Sequence, residues 1–217
     1  TPTLTLFGTN KIAALSGTSF AAWQYAKKIK FKIKLLALVG LLTAISAFIG
    51  AKVVSSLPIG LLKPIILFIL ISIAIYTYLK KDLGGQQTKN LSTHMQYLLG
   101  ATLGVVIGFY DGFFGPGTGS FLVLGFVALL GFDFLHASAY AKVINCIANI
   151  GALTVYINNS QFLLVPALII AVFNIAGNIT GSKMAIAKGN LFIRKVFLVI
   201  VLLMIARYAY DILRYDF

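Results

Sequence analysis

The sequence contains no glutamate and only five aspartates, against 18 lysines and arginines. Charged residues make up 11% of the 217 residues, whereas a soluble domain has about a quarter. Because 59% of the residues are apolar, the lipid bilayer is the expected solvent. The net charge of +13 does not predict nucleic-acid binding, because many cations lie at the ends of apolar runs, as in cytoplasmic anchors of membrane proteins.

Cysteine and histidine are nearly absent, which removes most metal and disulfide chemistry. Cys146 is the single cysteine and lies inside an apolar run, so neither a disulfide framework nor a cysteine metal cluster is predicted. The two histidines have no neighbouring ligand pattern. The stretch GPGTGS lacks the ending of a phosphate-binding loop, and no Ser/His/Asp set or carboxylate pair occurs. We therefore predict no enzyme activity and no cofactor.

Seven apolar segments account for most of the chain. They are residues 9–25, 35–57, 61–79, 97–131, 138–157, 162–182 and 191–213. Six have about the length, roughly 20 residues, that crosses a hydrocarbon core as one helix. Segment 97–131 is too long for one span and too short for two. It fits a broken, re-entrant pair of half-helices, each reaching roughly 18–20 Å at 1.5 Å per residue, and one long kinked helix is the competing geometry.

Lysines and arginines predict which side each loop faces, because cytoplasmic loops of membrane proteins are enriched in them. Loop 26–34 holds five lysines and loop 80–89 holds three, so both are predicted to be cytoplasmic. Loop 183–195 holds four cations and would share that side only if segment 97–131 returns to its starting side. Loop 158–161 is uncharged and would face out. The charge distribution therefore favours the re-entrant geometry.

A sequence repeat is visible at an offset of 131 residues. It aligns Lys11 with Lys142 and the basic loop 26–34 with the neutral stretch 157–165. If both copies obey the charge rule they face opposite ways, which makes an inverted repeat of the kind common in secondary transporters. The predicted repeats are residues 1–90, whose own broken segment would precede residue 1, and residues 91–217.

The stretch GFYDGFFGPGTGSF, residues 108–121, is the expected origin of the break. Glycine permits backbone angles that other residues resist, and proline cannot continue a helix interior. Backbone groups freed in hydrocarbon must face protein, water or a ligand, so the segment is predicted to line a cavity. The N–H groups of Thr118, Gly119 and Ser120 would open the second half-helix and attract an anion. A kink that only lets helices pack closely is the alternative.

Asp111 is an acid at predicted mid-depth in the bilayer. An ionised carboxylate there is costly, so it is expected to face the bundle interior with a partner. Three roles are open for it. It can carry a proton, pair with a lysine, or cap the N-terminus of the second half-helix.

Lys11 and Lys142 each begin a span and carry polar residues behind them. Asn145 lies three residues after Lys142, on the same helix face. A face of lysine and amide beside a half-helix N-terminus suits an oxyanion, although lysines near helix ends also extend to the lipid headgroups. Asn174 and Asn178 form a second polar stripe, for which hydrogen bonding between helices is an equally good explanation.

The sequences GVVIGFYDGFFGPGTGSF and HASAYAKVINCIANIG resemble the sulfite exporter TauE/SafE family, also called the toluene sulfonate uptake permease family. The resemblance extends through NITGSKMAIAKGNLFIRK and includes GTNK near the start. It implies a substrate-binding role for a set of residues in these motifs. The set is Asn10, Lys11, Asp111, Gly112, Gly115, Pro116, Gly117, Thr118, Gly119, Lys142 and Asn145.

The resemblance implies a multi-pass permease of the bacterial inner membrane that carries sulfur-bearing anions such as sulfite or sulfonates. We accordingly predict an all-α polytopic membrane protein with two inverted repeats and a broken, glycine-rich re-entrant segment. It would transport small organic or inorganic anions by alternating access, with the anion and the bilayer as its partners. Proton coupling through Asp111 and self-association stay open. An ion channel and a non-transporting membrane scaffold are the alternatives.

Overall fold

A computed structural model describes residues 3–55, 91–115 and 117–215 of the chain. Apolar segment 61–79, loop 80–89 and Pro116, on which several predictions fall, lie outside these ranges. The described residues form helices and no strand, as the sequence predicts. The helices are α1 (Thr3–Ala26), α2 (Ile33–Val54), α3 (Thr93–Phe113), α4 (Thr118–Ala128), α5 (Phe134–Asn158) and α6 (Leu164–Tyr215).

Three described stretches are long and apolar enough to cross a bilayer, namely Ile33–Val54, Phe134–Asn158 and Leu164–Arg207. Large apolar side chains also point outward from the bundle, for example Phe173, which is 74% exposed. In water such a surface would be unfavourable, whereas hydrocarbon chains accept it at no cost. The fold is therefore that of an all-α membrane protein.

Helix α1 packs between α5 and α6, and contacts at its two ends fix the directions. The Leu163 N–H donates to Thr9 Oγ1 at 2.9 Å, and Ser182 Oγ donates to Gln24 Oε1 at 3.2 Å. Helix α1 therefore runs parallel to the first half of α6. Against α5 it runs antiparallel, because Gly8 lies beside Tyr156 whereas Ser19 Oγ lies 3.3 Å from Cys146 Sγ.

Helices α2 and α3 approach closely because glycines face the contact. Gly108 and Gly112 are four residues apart and so lie on one face of α3. A Cβ at Gly108 would lie 2.7 Å from the Thr43 carbonyl oxygen, and a Cβ at Gly112 would overlap the backbone of Ala47. The two backbones are therefore in direct contact.

The apolar core lies where α4 and α5 meet α2, α3 and α6. Phe126, Phe134 and Ile144 are fully buried there. Tyr140 joins this core through its ring and accepts a hydrogen bond from the Lys32 N–H at 2.6 Å through its hydroxyl. The basic loop before α2 is thus held against the start of α5.

The predicted break in segment 97–131 is present. Helix α3 ends at Phe113 and α4 begins at Thr118. Between them Gly115 and Gly117 have φ values of 90° and 84°, which belong to the left-handed region that glycine adopts without strain. The helix is interrupted in the glycine cluster rather than continued through it.

The predicted loop at residues 183–195 is longer than the structure shows, because α6 is helical on both sides of a single break within this stretch. Its one non-helical residue is Gly189, with φ 70° and ψ −161°. Asn190 next to it accepts the Leu135 N–H at 2.8 Å through Oδ1, which fixes the break against the first turn of α5. The charged residues favoured a loop, but lysine, alanine and methionine are all good helix formers.

Candidate functional site

The first turn of α4 leaves backbone N–H groups without acceptors in its own helix. Thr118 Oγ1 donates to the Gly115 carbonyl oxygen at 2.7 Å and closes the turn that precedes the helix. The Phe121 N–H makes the first helical bond, to Gly117 O at 3.1 Å. The N–H groups of Gly119 and Ser120 fall inside the first turn, so helix geometry gives them no partner.

These two residues line a cavity of about 620 Å³ between α4, α5 and α6. One part of the wall carries polar groups. They belong to Gly119, Ser120, Ser138, Lys142, Asn178 and Ser182. The rest is mainly apolar, and includes Val123, Phe192, Ile193, Val196, Phe197 and Ile200. Among the described residues no carboxylate lines this cavity, so its one charged group is a cation.

Lys142 lies in the third turn of α5 and reaches towards α6. Its Nζ donates to Asn178 Oδ1 at 2.9 Å. Asn178 in turn donates through Nδ2 to the Asn174 carbonyl oxygen at 2.9 Å and so keeps its own oxygen directed at the lysine. An ammonium has three donors, so this hydrogen bond leaves two for another acceptor. The bond between Lys142 and Asn178 joins α5 to α6, as the explanation by hydrogen bonding between helices predicts, and a substrate role for the stripe stays a prediction.

Asn145 lies near the start of α4, one turn further along α5 from Lys142. Its Nδ2 is 3.8 Å from the position that a Cβ on Gly119 would occupy. The absence of a side chain at Gly119 thus leaves space between the amide and the first turn of α4. The structure brings together Gly119, Lys142 and Asn145, three of the residues that the sequence predicts for the site.

Lys11 and Asp111 form an ion pair with an Nζ–Oδ2 distance of 2.6 Å, away from the cavity lining. Their side chains are 5% and 2% exposed. Of the three roles open for Asp111, the structure contains the lysine partner. The capping role is wrong, since the N-cap residue of α4 is Gly117.

The other predicted site residues that the structure describes do not line the cavity. Gly112 packs on α2, and Gly115 lies near the Lys11 ammonium. Asn10 is exposed next to Lys11, on the outside of the bundle. No finding here tests whether these residues touch a substrate, so those roles stay predictions.

Sequence reasoning missed Ser138 and Ser182 of the cavity as site residues, although it named Ser120. Ser138 lies four residues before Lys142, and Ser182 lies four residues after Asn178. Four-residue spacing places each serine on the same helix face as its polar neighbour. Extending the polar faces by one turn would have found both.

A sequence model of the family described as "Sulfite exporter TauE/SafE" matches residues 1–208. The chain belongs to the sulfite exporter TauE/SafE family. The resemblance seen in the glycine-rich motif is thereby confirmed over nearly the whole length of this TauE/SafE protein.

Curated relatives of this TauE/SafE protein carry transporter names. It is 37% identical to the "Probable membrane transporter protein ORF9" of Sinorhizobium sp, over 92% of this chain and 76% of the relative. It is 29% identical to a "Probable membrane transporter protein" of Haemophilus influenzae, over 97% and 82%. It is 30% identical to the "Probable membrane transporter protein YfcA" of Escherichia coli K12, over 94% and 75%. No solved structure matches the chain significantly.

The family and the relatives together indicate a membrane transporter. Transporter names, rather than enzyme names, agree with the prediction that the chain is not an enzyme. Spans long enough for a bilayer support a membrane location. The substrate and the transport mechanism are not given by these names.

Proposed function

We propose that the protein is a secondary transporter of small organic or inorganic anions, with sulfonates and sulfite as the candidate substrates. The cavity between α4, α5 and α6 is the substrate site in this proposal. The observation that carries it is that Lys142 and the open first turn of α4 face the same cavity.

The proposed chemistry is oxyanion binding by fixed donors. The N–H groups of Gly119 and Ser120 lie at the positive end of the α4 dipole, which favours a negative charge. The ammonium of Lys142 supplies the compensating full charge, and the hydroxyl of Ser138 can donate as well. A sulfonate or sulfite group has three oxygens, each of which accepts hydrogen bonds. These donors are enough to give each of the three oxygens a hydrogen bond.

The apolar wall favours an organic anion over a bare inorganic one. A cavity of about 620 Å³ is of the size that holds small organic ligands. Phe192, Phe197 and Ile200 also line the cavity and would contact a hydrocarbon group. An organic sulfonate would place its charged group at Lys142 and its carbon chain against these residues.

Contacts around Lys32 support a re-entrant geometry for segment 97–131. Lys32 Nζ donates to Gln96 Oε1 at 2.8 Å near the start of α3. The backbone N–H of the same residue donates to Tyr140 near the start of α5. The two ends of the broken segment therefore lie beside one basic loop. In our proposal this loop is cytoplasmic in a bacterial inner membrane.

Helix starts support the inverted repeat. Helix α2 starts at residue 33 and α6 at 164, and these starts differ by the offset seen in the sequence. Lys11 and Lys142 are related by the same offset, and their helices α1 and α5 are antiparallel. The two lysines thus lie at similar depths from opposite ends, as alternating access by two inverted halves requires.

Uptake into proteoliposomes tests the proposal. The purified protein is reconstituted, and accumulation of a radiolabelled sulfonate, sulfite or carboxylate is measured with and without a pH gradient. Lys142→Gln should lower the apparent affinity about 10- to 100-fold, because hydrogen bonds to charged groups contribute about 1.5–3 kcal/mol. Lys34→Gln is the matched control, since Lys34 is exposed and does not line the cavity.

The alternatives give different results in the same preparation. A channel would show single-channel currents in planar bilayers, whereas a carrier shows slow, saturable uptake without them. A scaffold would bind none of the anions in detergent. Normal uptake by a correctly inserted Lys142→Gln protein would refute the proposed site.

A further inference from the structure

A second opening lies on the outside of the bundle, between the end of α1 and the middle of α6. It has a volume of about 490 Å³. Lys27, Lys28 and Lys183 line it together with Phe20, Trp23 and Ile179, among others. We call this opening the lysine groove. It shares no lining residue with the cavity that holds Lys142.

The lysine groove is apolar at one end and basic at the other. Helices α1 and α6 run parallel here, so positions later in both helices lie towards the same end. Phe20 and Ile179 come first, and Lys27 and Lys183 follow. Seven residues of helix separate Phe20 from Lys27, which is a rise of roughly 10 Å. That length covers the glycerol region and the first acyl carbons of a phospholipid.

The lysines of the groove have no acidic partner among the described side chains. The described carboxylates are Asp111, which pairs with Lys11, and Asp133, which binds His136. Lys27 instead places its ammonium over the Trp23 ring, 3.4 Å from the ring centroid. The groove thus gathers three positive charges, and none of the described side chains places a negative charge beside them.

We infer that the lysine groove binds an anionic phospholipid, with the phosphate at Lys27, Lys28 and Lys183 and the acyl chain along Phe20 and Ile179. Charge and shape both favour this occupant over a soluble anion. Basic pockets between membrane helices suit anionic headgroups. Phe20 is 42% exposed and Trp23 is 56% exposed, so the apolar end opens where a bilayer would lie. This inference is independent of the substrate proposed above.

Trp23 makes the inference directly measurable, because it is the one tryptophan of the chain. Bromine atoms on acyl chains quench tryptophan fluorescence on contact. The protein is reconstituted into two vesicle preparations with the same mixture of phosphatidylglycerol and phosphatidylcholine. In one the bromine is on the phosphatidylglycerol, and in the other it is on the phosphatidylcholine. We expect stronger quenching in the first, with an enrichment of phosphatidylglycerol on the order of tenfold.

Two variants with several substitutions distinguish lipid binding in the lysine groove from a general effect of surface charge. Lys27→Gln/Lys28→Gln/Lys183→Gln should abolish the difference between the two preparations. The control Lys30→Gln/Lys34→Gln removes exposed lysines of the same loop that do not line the groove, and it should retain the difference. Equal quenching by both lipids in the unmodified protein would overturn the inference. So would an unchanged difference in the triple variant.

Free phosphate distinguishes a lipid site from a site for a soluble anion. Inorganic phosphate is added to the first preparation and compared with sodium chloride at equal ionic strength. Equal effects of the two salts are expected, because screening alone then weakens the lipid contact. Relief of quenching by phosphate but not by chloride would assign the groove to a soluble anion and overturn the lipid assignment.

Discussion

Lys11 on α1 and Asp111 at the end of α3 are 100 residues apart in sequence, yet their charged atoms lie 2.6 Å apart inside the bundle. This ion pair fixes the end of α3 to α1 immediately before the helix breaks. It also means that the two buried charges neutralise each other. Lys142, which the sequence repeat aligns with Lys11, has instead the neutral amide of Asn178 as its hydrogen-bond acceptor.

Removal of one member of this ion pair should lower the free energy of unfolding more than removal of both. Asp111→Asn leaves the ammonium of Lys11 buried without a counter-charge, and breaking a buried pair in this way costs about 3–5 kcal/mol. The double variant Lys11→Met/Asp111→Leu replaces both groups by apolar ones of similar size and should recover most of that loss. Thermal unfolding in detergent measures both.

Transport by the same double variant tests proton coupling through Asp111. If Asp111 carries the proton, the double variant should bind the anion but lose its response to a pH gradient. If the pair only fixes α3 to α1, uptake should keep that response. A double variant less stable than Asp111→Asn would contradict the expected penalty for leaving Lys11 buried without a counter-charge.

Gly112 should be intolerant of any side chain, unlike Gly119 a few residues later. A Cβ at Gly112 would overlap the backbone of Ala47, and backbone atoms cannot move aside as a side chain can. Gly112→Ala should therefore destabilise the protein by about 1–3 kcal/mol or more, as overpacked cores do. A Cβ at Gly119 would meet only Asn145, at 3.8 Å. Gly119→Ala should keep the melting temperature, and equal losses in both variants would argue against direct contact of α2 and α3.

The sequence predicted the parts of the site that depend on local chemistry. The glycines and proline of residues 108–121 indicated the break, because few other residue types are as unfavourable within a helix. The spacing of Lys142 and Asn145 indicated a shared face. Contacts between residues far apart in sequence could not be predicted from local sequence patterns. A lysine partner for Asp111 was one of three open roles, and nothing local to either residue selects Lys11.

Helix ends in the second half were predicted less well for a physical reason. The lysines and the Gly-Asn pair at residues 183–195 are typical of a loop. In the structure, however, only Gly189 has non-helical backbone angles. The hydrogen bond from Leu135 to Asn190 that accompanies this break joins residues far apart in sequence. Local composition therefore indicated a change of direction near the right place and overestimated its length.

Gly17→Ala should weaken anion binding from a position outside the cavity. A Cβ there would lie 2.6 Å from Asn178 Nδ2 and 2.8 Å from the Asn174 carbonyl oxygen. Asn178 would have to move, and its hydrogen bond to Lys142 would be lost or lengthened. We expect a several-fold rise in the KM for anion uptake. Gly181→Ala is the matched control, since Gly181 lines the cavity but a Cβ there meets nothing within 4 Å. A larger KM effect in the control would contradict this role of Asn178.

Ser19→Cys should form a disulfide with Cys146 and so test the antiparallel contact of α1 and α5. Ser19 Oγ lies 3.3 Å from Cys146 Sγ, so a thiol at residue 19 would start within a short movement of the bonding distance of about 2.05 Å. Cys146 is the one native cysteine, and no other thiol competes for it. Mild oxidation in membranes should remove both thiols from maleimide labelling and lower the mass by two hydrogens. Ser16→Cys is the control and should stay labelled, because Ser16 is on the same helix but its Oγ makes no hydrogen bond to Cys146. Two free thiols in Ser19→Cys after oxidation would show that these helices do not meet as described, and the matched depths of Lys11 and Lys142 would then lose their basis.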